Sequence, residues 1–169
     1  MSKLAFNLPL NSTSLGQVSF SILREVFKRK LDIHLFPIGG VDISSQNQDQ
    51  DFLSWLQNAI LTSVKEHNKN TPIFKLWHFN GSLESYSNKQ VLLSFYEVDS
   101  PTATEINIIK NNEKVLLSSN YAVSIFKSCV LSVVREMAES VPAQRGRGAT
   151  RKLGGVLRHD ECKVENGSL

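Results

Sequence analysis

Cysteine is almost absent from the chain: Cys129 and Cys162 are the only two, and they share neither a metal-ligand spacing nor a disulfide framework. That excludes a disulfide-stapled secreted scaffold and a zinc module, and makes a reducing, cytoplasmic setting the expectation. Long apolar runs are missing too, and none approaches the length of a membrane span. The opening "MSKLAFNLPL" has too short an apolar stretch for a signal peptide and meets a proline early. An excess of one charge sign is missing as well, with 19 Lys and Arg against 16 Asp and Glu. A formal net charge of +3 is too small to argue for a nucleic-acid or membrane partner. Phosphate-cradling and nucleophile motifs are also lacking: there is no Walker loop, no Gly-x-Ser-x-Gly elbow and no paired Cys-His signature.

What remains is a globular composition, 41% hydrophobic and 21% charged, in 169 residues, which suffices for one sizeable core and is short for two. Along the chain, strand and helix patterns alternate. "KLAFN" reads as a strand. Val18, Ile22, Leu23, Val26 and Phe27 then recur at helical spacing, and "KRK" closes the last turn, where cations suit the helix dipole. "DIHLFPIGG" is a second strand, stopped by Pro37 and two glycines. A second amphipathic helix follows, with Phe52, Leu53, Leu56, Ile60, Leu61 and Val64 on one face. "TPIFKLWHFNG" is the third strand, ending in a loop at Asn80-Gly81, and "KQVLLSFYEV" is the fourth, apolar enough to be covered on both faces. "PTATEINIIKNN" is a helix, with Ser100 expected as N-cap and Pro101 as its first residue. "KVLLSS" is the fifth strand, and "NYAVSIFKSCVLSVVREMAES" a final helix.

Helical connections of this length favour right-handed crossovers and a parallel sheet. The expected fold is α/β, a Rossmann-like parallel sheet flanked by helices over residues 1–130. Residues 131–169 are expected as a helix extension and a basic, Gly- and Arg-containing disordered tail, in which Arg145, Arg147, Arg151, Lys152 and Arg158 come without an intervening acid.

In such a sheet, ligands bind at the carboxyl ends of the strands, beside helix N-termini. Four segments place polar or small residues there. In "LNSTSLGQVS", Gly16 allows close backbone approach, and the amides of Gly16 and Gln17 are expected to point outward; a helix-capping turn explains the segment equally well. In "WHFNGS", His78, Asn80 and Ser82 suit sugar hydroxyls, and Trp77 and Phe79 either stack on a ring or belong to the core. Glu97 and Asp99 alternate, so on an extended strand both carboxylates face one side; helix capping is the stronger explanation of Asp99. Ser118, Ser119 and Asn120 close the fifth strand and cap a helix, which explains them adequately, and the same edge could also line a cleft. His34 reads as structural, and His67 and His159 have no ligand-spaced partner. No metal site is expected.

Taken together, "FNLPLNSTSLGQVSFSILREVFKR", "HFNGS", "LLSFYEVDSPTATEINII" and "VLLSSNYAVSIFKSC" resemble the N-terminal half of a group 1 glycosyltransferase of the GT-B superfamily, family 4-like. The resemblance covers residues 1 to about 129. It implies two facing Rossmann-like domains, the N-terminal one binding a sugar or glycan acceptor and the C-terminal one most of the nucleotide-sugar. It implies no permanently bound cofactor, the nucleotide-sugar being a co-substrate. It places Ser14, Gly16 and Gln17 towards the donor, His78, Asn80 and Gly81 at the acceptor side, Glu97, Asp99 and Thr102 on the same rim, and Ser119 beside the strand and helix leading to the interdomain linker. No residue is assigned as catalytic.

After "FKSC" the family continues with Gly-Val, a short strand and a turn carrying an Asp, whereas this chain reads "VLSVVREMAES". The expectation is therefore an acceptor-side domain truncated near residue 129, inactive alone or complemented by a separate C-terminal glycosyltransferase half. The rival reading is a nucleic-acid-binding module using "QRGRGATRK", the lesser one because the tail interleaves no aromatics. Nothing indicates peripheral membrane contact. Adjoining DNA is expected to encode a C-terminal glycosyltransferase half in some frame, and its absence would count strongly against the truncation.

Overall fold

β1 (Leu4–Pro9) carries hydrogen-bonded partners on both sides, and the first half of the fold is arranged around it. The computed structural model describes residues 4–46, 49–129, 134–136 and 155–158. After β1 come α1 (Ser14–Lys28), β2 (Ile33–Ile38), a single 3-10 turn at Ser44–Gln46 and α2 (Gln50–Glu66). Then follow β3 (Ile73–Leu76), β4 (Gln90–Ser94), α3 (Ala103–Lys110), β5 (Lys114–Leu117), α4 (Asn120–Cys129), β6 (Val134–Glu136) and β7 (Gly155–Arg158). The strand order is β2-β1-β3-β4-β5-β7-β6, and the first five strands form the parallel sheet of a Rossmann-like α/β fold. The order reverses direction between β1 and β3, which is the topological switch point of a doubly wound sheet.

The chain divides into two compact units. The first contains β1 to β3, α1, α2 and the segment Glu84–Val91. Leu4 lies opposite Ile33 and Ala5 opposite both His34 and Ile73, all in parallel register. From Ala5 to Pro9 every residue of β1 is buried, because helices cover a parallel sheet on both faces. Phe20 and Leu23 of α1 and Phe52 and Leu56 of α2 complete the apolar interior. Arg24 ties the two helices together: its guanidinium lies 4.6 Å from the centre of the Phe52 ring and meets Asp49 Oδ2 at 3.3 Å and Gln46 Oε1 at 2.8 Å. The same Asp49 caps α2 by accepting from Phe52 N at 3.0 Å.

The inner face of α2 differs from the expected one. Leu61 and Val64 are 70% and 84% exposed, while Ala59 and Ser63 are buried. Small residues let the last turns of α2 come close to β2, and the Ser63 hydroxyl lies 2.9 Å from Leu35 O and 2.7 Å from Ile60 O, between the strand and its own helix. A helix packed that closely has no room for Leu61 or Val64 beneath it. The segment before β4 contains no helix; it is pinned to the α2–β3 turn by Ser87, whose hydroxyl lies 2.9 Å from Lys69 O and 2.5 Å from Thr71 O.

The second unit contains His78–Leu83 and the described residues from Leu92 onward. Its interior is one cluster including Phe79, Leu92, Tyr96, Ile108, Val115, Leu117 and Phe126. Phe79, Tyr96 and Phe126 form an aromatic triad, with ring centres 4.7–5.6 Å apart. Helix α3 begins two residues later than expected. Thr102, not Ser100, is the N-cap, and it forms a reciprocal capping box with Glu105. The final helix is described over Asn120–Cys129, and Val134–Glu136, expected as helix, is the strand β6. Within the expected irregular tail, Gly155–Arg158 is a strand, antiparallel to both β5 and β6. Arg145, Arg147, Arg151 and Lys152 lie outside the described residues. Among the described residues no helix is long and apolar enough to cross a membrane.

The tightest point of the first unit is Gly16. A Cβ there would lie 2.0 Å from Asn11 O and 2.6 Å from Asn11 Oδ1, and the nearer atom is backbone. Gly16→Ala is expected to destabilise the protein by about 3 kcal/mol, because the turn must shift bodily to admit the methyl group. Urea unfolding of the two proteins measures it, and an unchanged midpoint would contradict the packing described.

Candidate functional site

The strand-end candidates fall into two sets, one in each unit. In the first, β1 ends at Pro9 and the chain turns through Asn11 and Thr13 into α1. Asn11 Oδ1 accepts from Thr13 N at 3.2 Å and Thr13 Oγ1 at 2.6 Å. Thr13 is the N-cap, and its hydroxyl oxygen accepts from Gly16 N at 3.4 Å, while Gln17 N donates to Thr13 O at 2.9 Å. This corrects the expectation of outward amides: both N–H groups close the helix's own first turn. Gly16 is buried against Asn11, so the chain itself fills the space that its missing side chain leaves. Ser14 and Gln17 remain exposed at the helix start. The segment after β2 joins this turn through Asp42 N, which donates to Leu10 O at 2.6 Å. Hydrogen bonds from Ser44 hold the Asp42 carboxyl below its usual range.

In the second unit, the residues after β3 form a turn anchored from beneath. Phe79 is core, which settles its alternatives in favour of packing, and Trp77 is half-buried. His78 and Asn80 flank Phe79 and are exposed. Gly81 has φ +81°, a left-handed conformation that favours glycine, and its neighbour Ser82 is fully buried and donates through its hydroxyl to His78 O at 2.5 Å. The "NGS" sequence therefore serves first to make the turn that presents His78 and Asn80.

β4 ends at Ser94, so Glu97 and Asp99 lie beyond the strand, and its alternation does not orient them. Both are exposed. Asp99 does not cap α3. Its carboxylate Oδ1 accepts a short hydrogen bond from the Tyr121 hydroxyl in the first turn of α4. That bond, with the charge of Asp99 beside it, pushes the Tyr121 phenol above its ordinary range. Thr102 is occupied by its cap: its hydroxyl accepts from Glu105 N at 3.2 Å and donates to Glu105 Oε2 at 3.0 Å. Glu105 also accepts from Thr102 N at 2.7 Å and from the Tyr96 hydroxyl at 3.4 Å. Ser119 caps α4 as expected, accepting from Ala122 N at 3.1 Å.

Tyr121 and Glu105 were not singled out in the sequence. The T-x-x-E spacing of Thr102 and Glu105 is a readable capping-box signature, whereas nothing local signals a bond between residues 99 and 121. Among the described residues no group of three His, Cys, Asp or Glu is arranged to hold a metal ion. Chemically, the second unit offers an exposed carboxylate oriented by a phenol, a geometry that leaves acceptor positions on Asp99 for the hydroxyl groups of a ligand. Comparison with known proteins finds no matching family model, no matching curated protein and no matching solved structure.

The Asp99–Tyr121 bond has a direct spectroscopic consequence. A phenol whose folded pKa is raised contributes stability below its unfolded pKa and loses it as pH rises through the folded value. Following tyrosinate absorbance with pH, Asp99→Asn is expected to bring one tyrosine back to a lower titration point. An identical titration curve would show that the bond is not held in solution.

Proposed function

We infer that this chain is the acceptor-side domain of a nucleotide-sugar-dependent glycosyltransferase of the GT-B type, which in the complete enzyme passes a hexosyl group to a saccharide or other hydroxyl acceptor. The reading rests on the resemblance of residues 1 to about 129 together with one observation, the Asp99 carboxylate held by Tyr121 beyond the carboxyl end of a parallel strand. A carboxylate fixed in this way can accept from adjacent hydroxyls of a sugar ring, and ligands of open α/β sheets sit outside the strand ends. His78 and Asn80, presented by the Gly81 turn, supply further polar groups from the same unit. The role assigned is acceptor binding and orientation; donor contacts belong to the other domain of the family. The chain alone is accordingly inactive, and a separate C-terminal half is the partner that would supply turnover. A cytoplasmic location, where nucleotide-sugars are available, fits this reading.

The test has two parts. In saturation-transfer NMR against a panel of saccharides, the wild-type chain is expected to bind at least one weakly. Asp99→Asn and Tyr121→Phe should each weaken that binding about fivefold, the usual worth of one lost hydrogen bond. Mixing with a C-terminal glycosyltransferase domain should be required for consumption of nucleotide-sugar. Turnover by the chain alone, or saccharide binding indifferent to both substitutions, would overturn the assignment.

A further inference from the structure

A groove of about 560 Å³ opens along β2 in the first unit, and none of the strand-end candidates lines it. Its size falls within the roughly 300–1,000 Å³ of small-molecule sites. The floor is apolar, built from Leu35 and Pro37 of β2 and Ile60 of α2. One wall is aromatic. The Tyr86 ring lies on Phe36 at 4.3 Å between centres and 11° between planes, so one of its faces is already covered. Tyr86 is nonetheless 51% exposed, which leaves the outer ring face open.

This wall is firmly mounted. His67 Nε2 lies 2.7 Å from Tyr86 O; a carbonyl can only accept, so that nitrogen carries the proton and holds the backbone beneath the ring. The His67 ring also meets Phe36 edge-on at 4.9 Å. Ser87, the next residue, is bonded to the carbonyls of Lys69 and Thr71. A stacking surface fixed before binding loses little freedom when a ring settles on it.

Lys69 brings an ammonium group to the lining, and no ion pair among the described residues engages it. Val64, 84% exposed, extends the apolar surface at the side of α2. These features select among ligands. A bare phosphate would meet an apolar floor and a single cation. A sugar would leave most of its hydroxyls without partners, and a cation attracted to the aromatic face would be repelled by Lys69. We propose that this groove binds a small planar aromatic anion, with its ring on the outer face of Tyr86 and its charged group towards Lys69. The site goes beyond the glycosyltransferase reading and does not depend on it.

Anilinonaphthalene sulfonate has this chemistry, and phenylnaphthylamine is its neutral counterpart. Fluorescence titration of the full chain with the sulfonate is expected to saturate at a single site. Tyr86→Ala should weaken both probes about tenfold, the loss of a stacked ring pair. Lys69→Glu should weaken the sulfonate by about fivefold or more and leave the neutral probe unchanged. Both positions are exposed, and an unchanged urea midpoint confirms that each variant is folded. Val64→Glu places a carboxylate beside the groove and should also weaken the sulfonate selectively. Titration that never saturates, or affinity indifferent to Tyr86→Ala, would overturn the site. Full sulfonate affinity in Lys69→Glu would overturn the anionic class of ligand.

Discussion

A methyl group on Gly16 would stand 2.0 Å from the Asn11 carbonyl oxygen, and β1, the turn and α1 keep their places only because none is there. The constraint follows from the parallel sheet. A parallel strand cannot be joined to its neighbour by a tight hairpin, so the chain must leave β1 at its carboxyl end and come back over one face. Here it has only the residues between Pro9 and Ser14 in which to turn into α1. Asn11 folds back on Thr13, Thr13 caps the helix, and the first full turn of α1 is pressed against the loop. Because β1 pairs with β2 on one side and β3 on the other, displacement of this turn would be felt through both ladders.

The alternation of strands and helices was legible in the sequence because each element buries a face with its own period. What could not be read was which of two adjacent faces an element would bury. In α2 the apolar count favours the face with Leu61 and Val64, yet the helix turns Ala59 and Ser63 to β2. Close approach, with the Ser63 hydroxyl shared between Leu35 O and Ile60 O, outweighs the burial of two larger side chains. The start of α3 was misplaced for a comparable reason. Ser100-Pro101 is a good local start signal, but Thr102 with Glu105 closes two bonds instead of one. The expected last helix ran on through Val134–Glu136 because apolar residues there keep a helical spacing, yet Val134 is equally suited to a strand and these three residues form β6.

The candidate site shows a different limit. Residues that stand out by type were visible: Gly16, the "HFNGS" turn, the two acids after β4 and Ser119. Their tasks were not, because a task depends on a partner elsewhere in the chain. Asp99 suggested a cap by its position before a helix and is instead held by Tyr121, twenty-two residues further on. Phe79 left stacking and core packing open and is core, whereas Tyr86, in a segment that drew no attention, has the exposed ring.

Hydrogen-bond satisfaction then separates groups that keep open positions from those that the fold occupies. Thr102 and Ser119 have hydroxyls already held by the first turns of their helices, and a ligand could recruit them only by undoing a cap worth about 1 kcal/mol. The Gly16 and Gln17 amides are committed in the same way. Asp99 is not in that position. A carboxylate has about four acceptor directions, and the Tyr121 hydroxyl uses one of them while fixing the orientation of the rest. Losing Tyr121 would therefore leave the charge in place and remove its aim, whereas losing Thr102 would loosen α3 before it touched any ligand. Asp99 is thus a carboxylate that one bond orients, whereas the hydroxyls of Thr102 and Ser119 are already taken up by the fold.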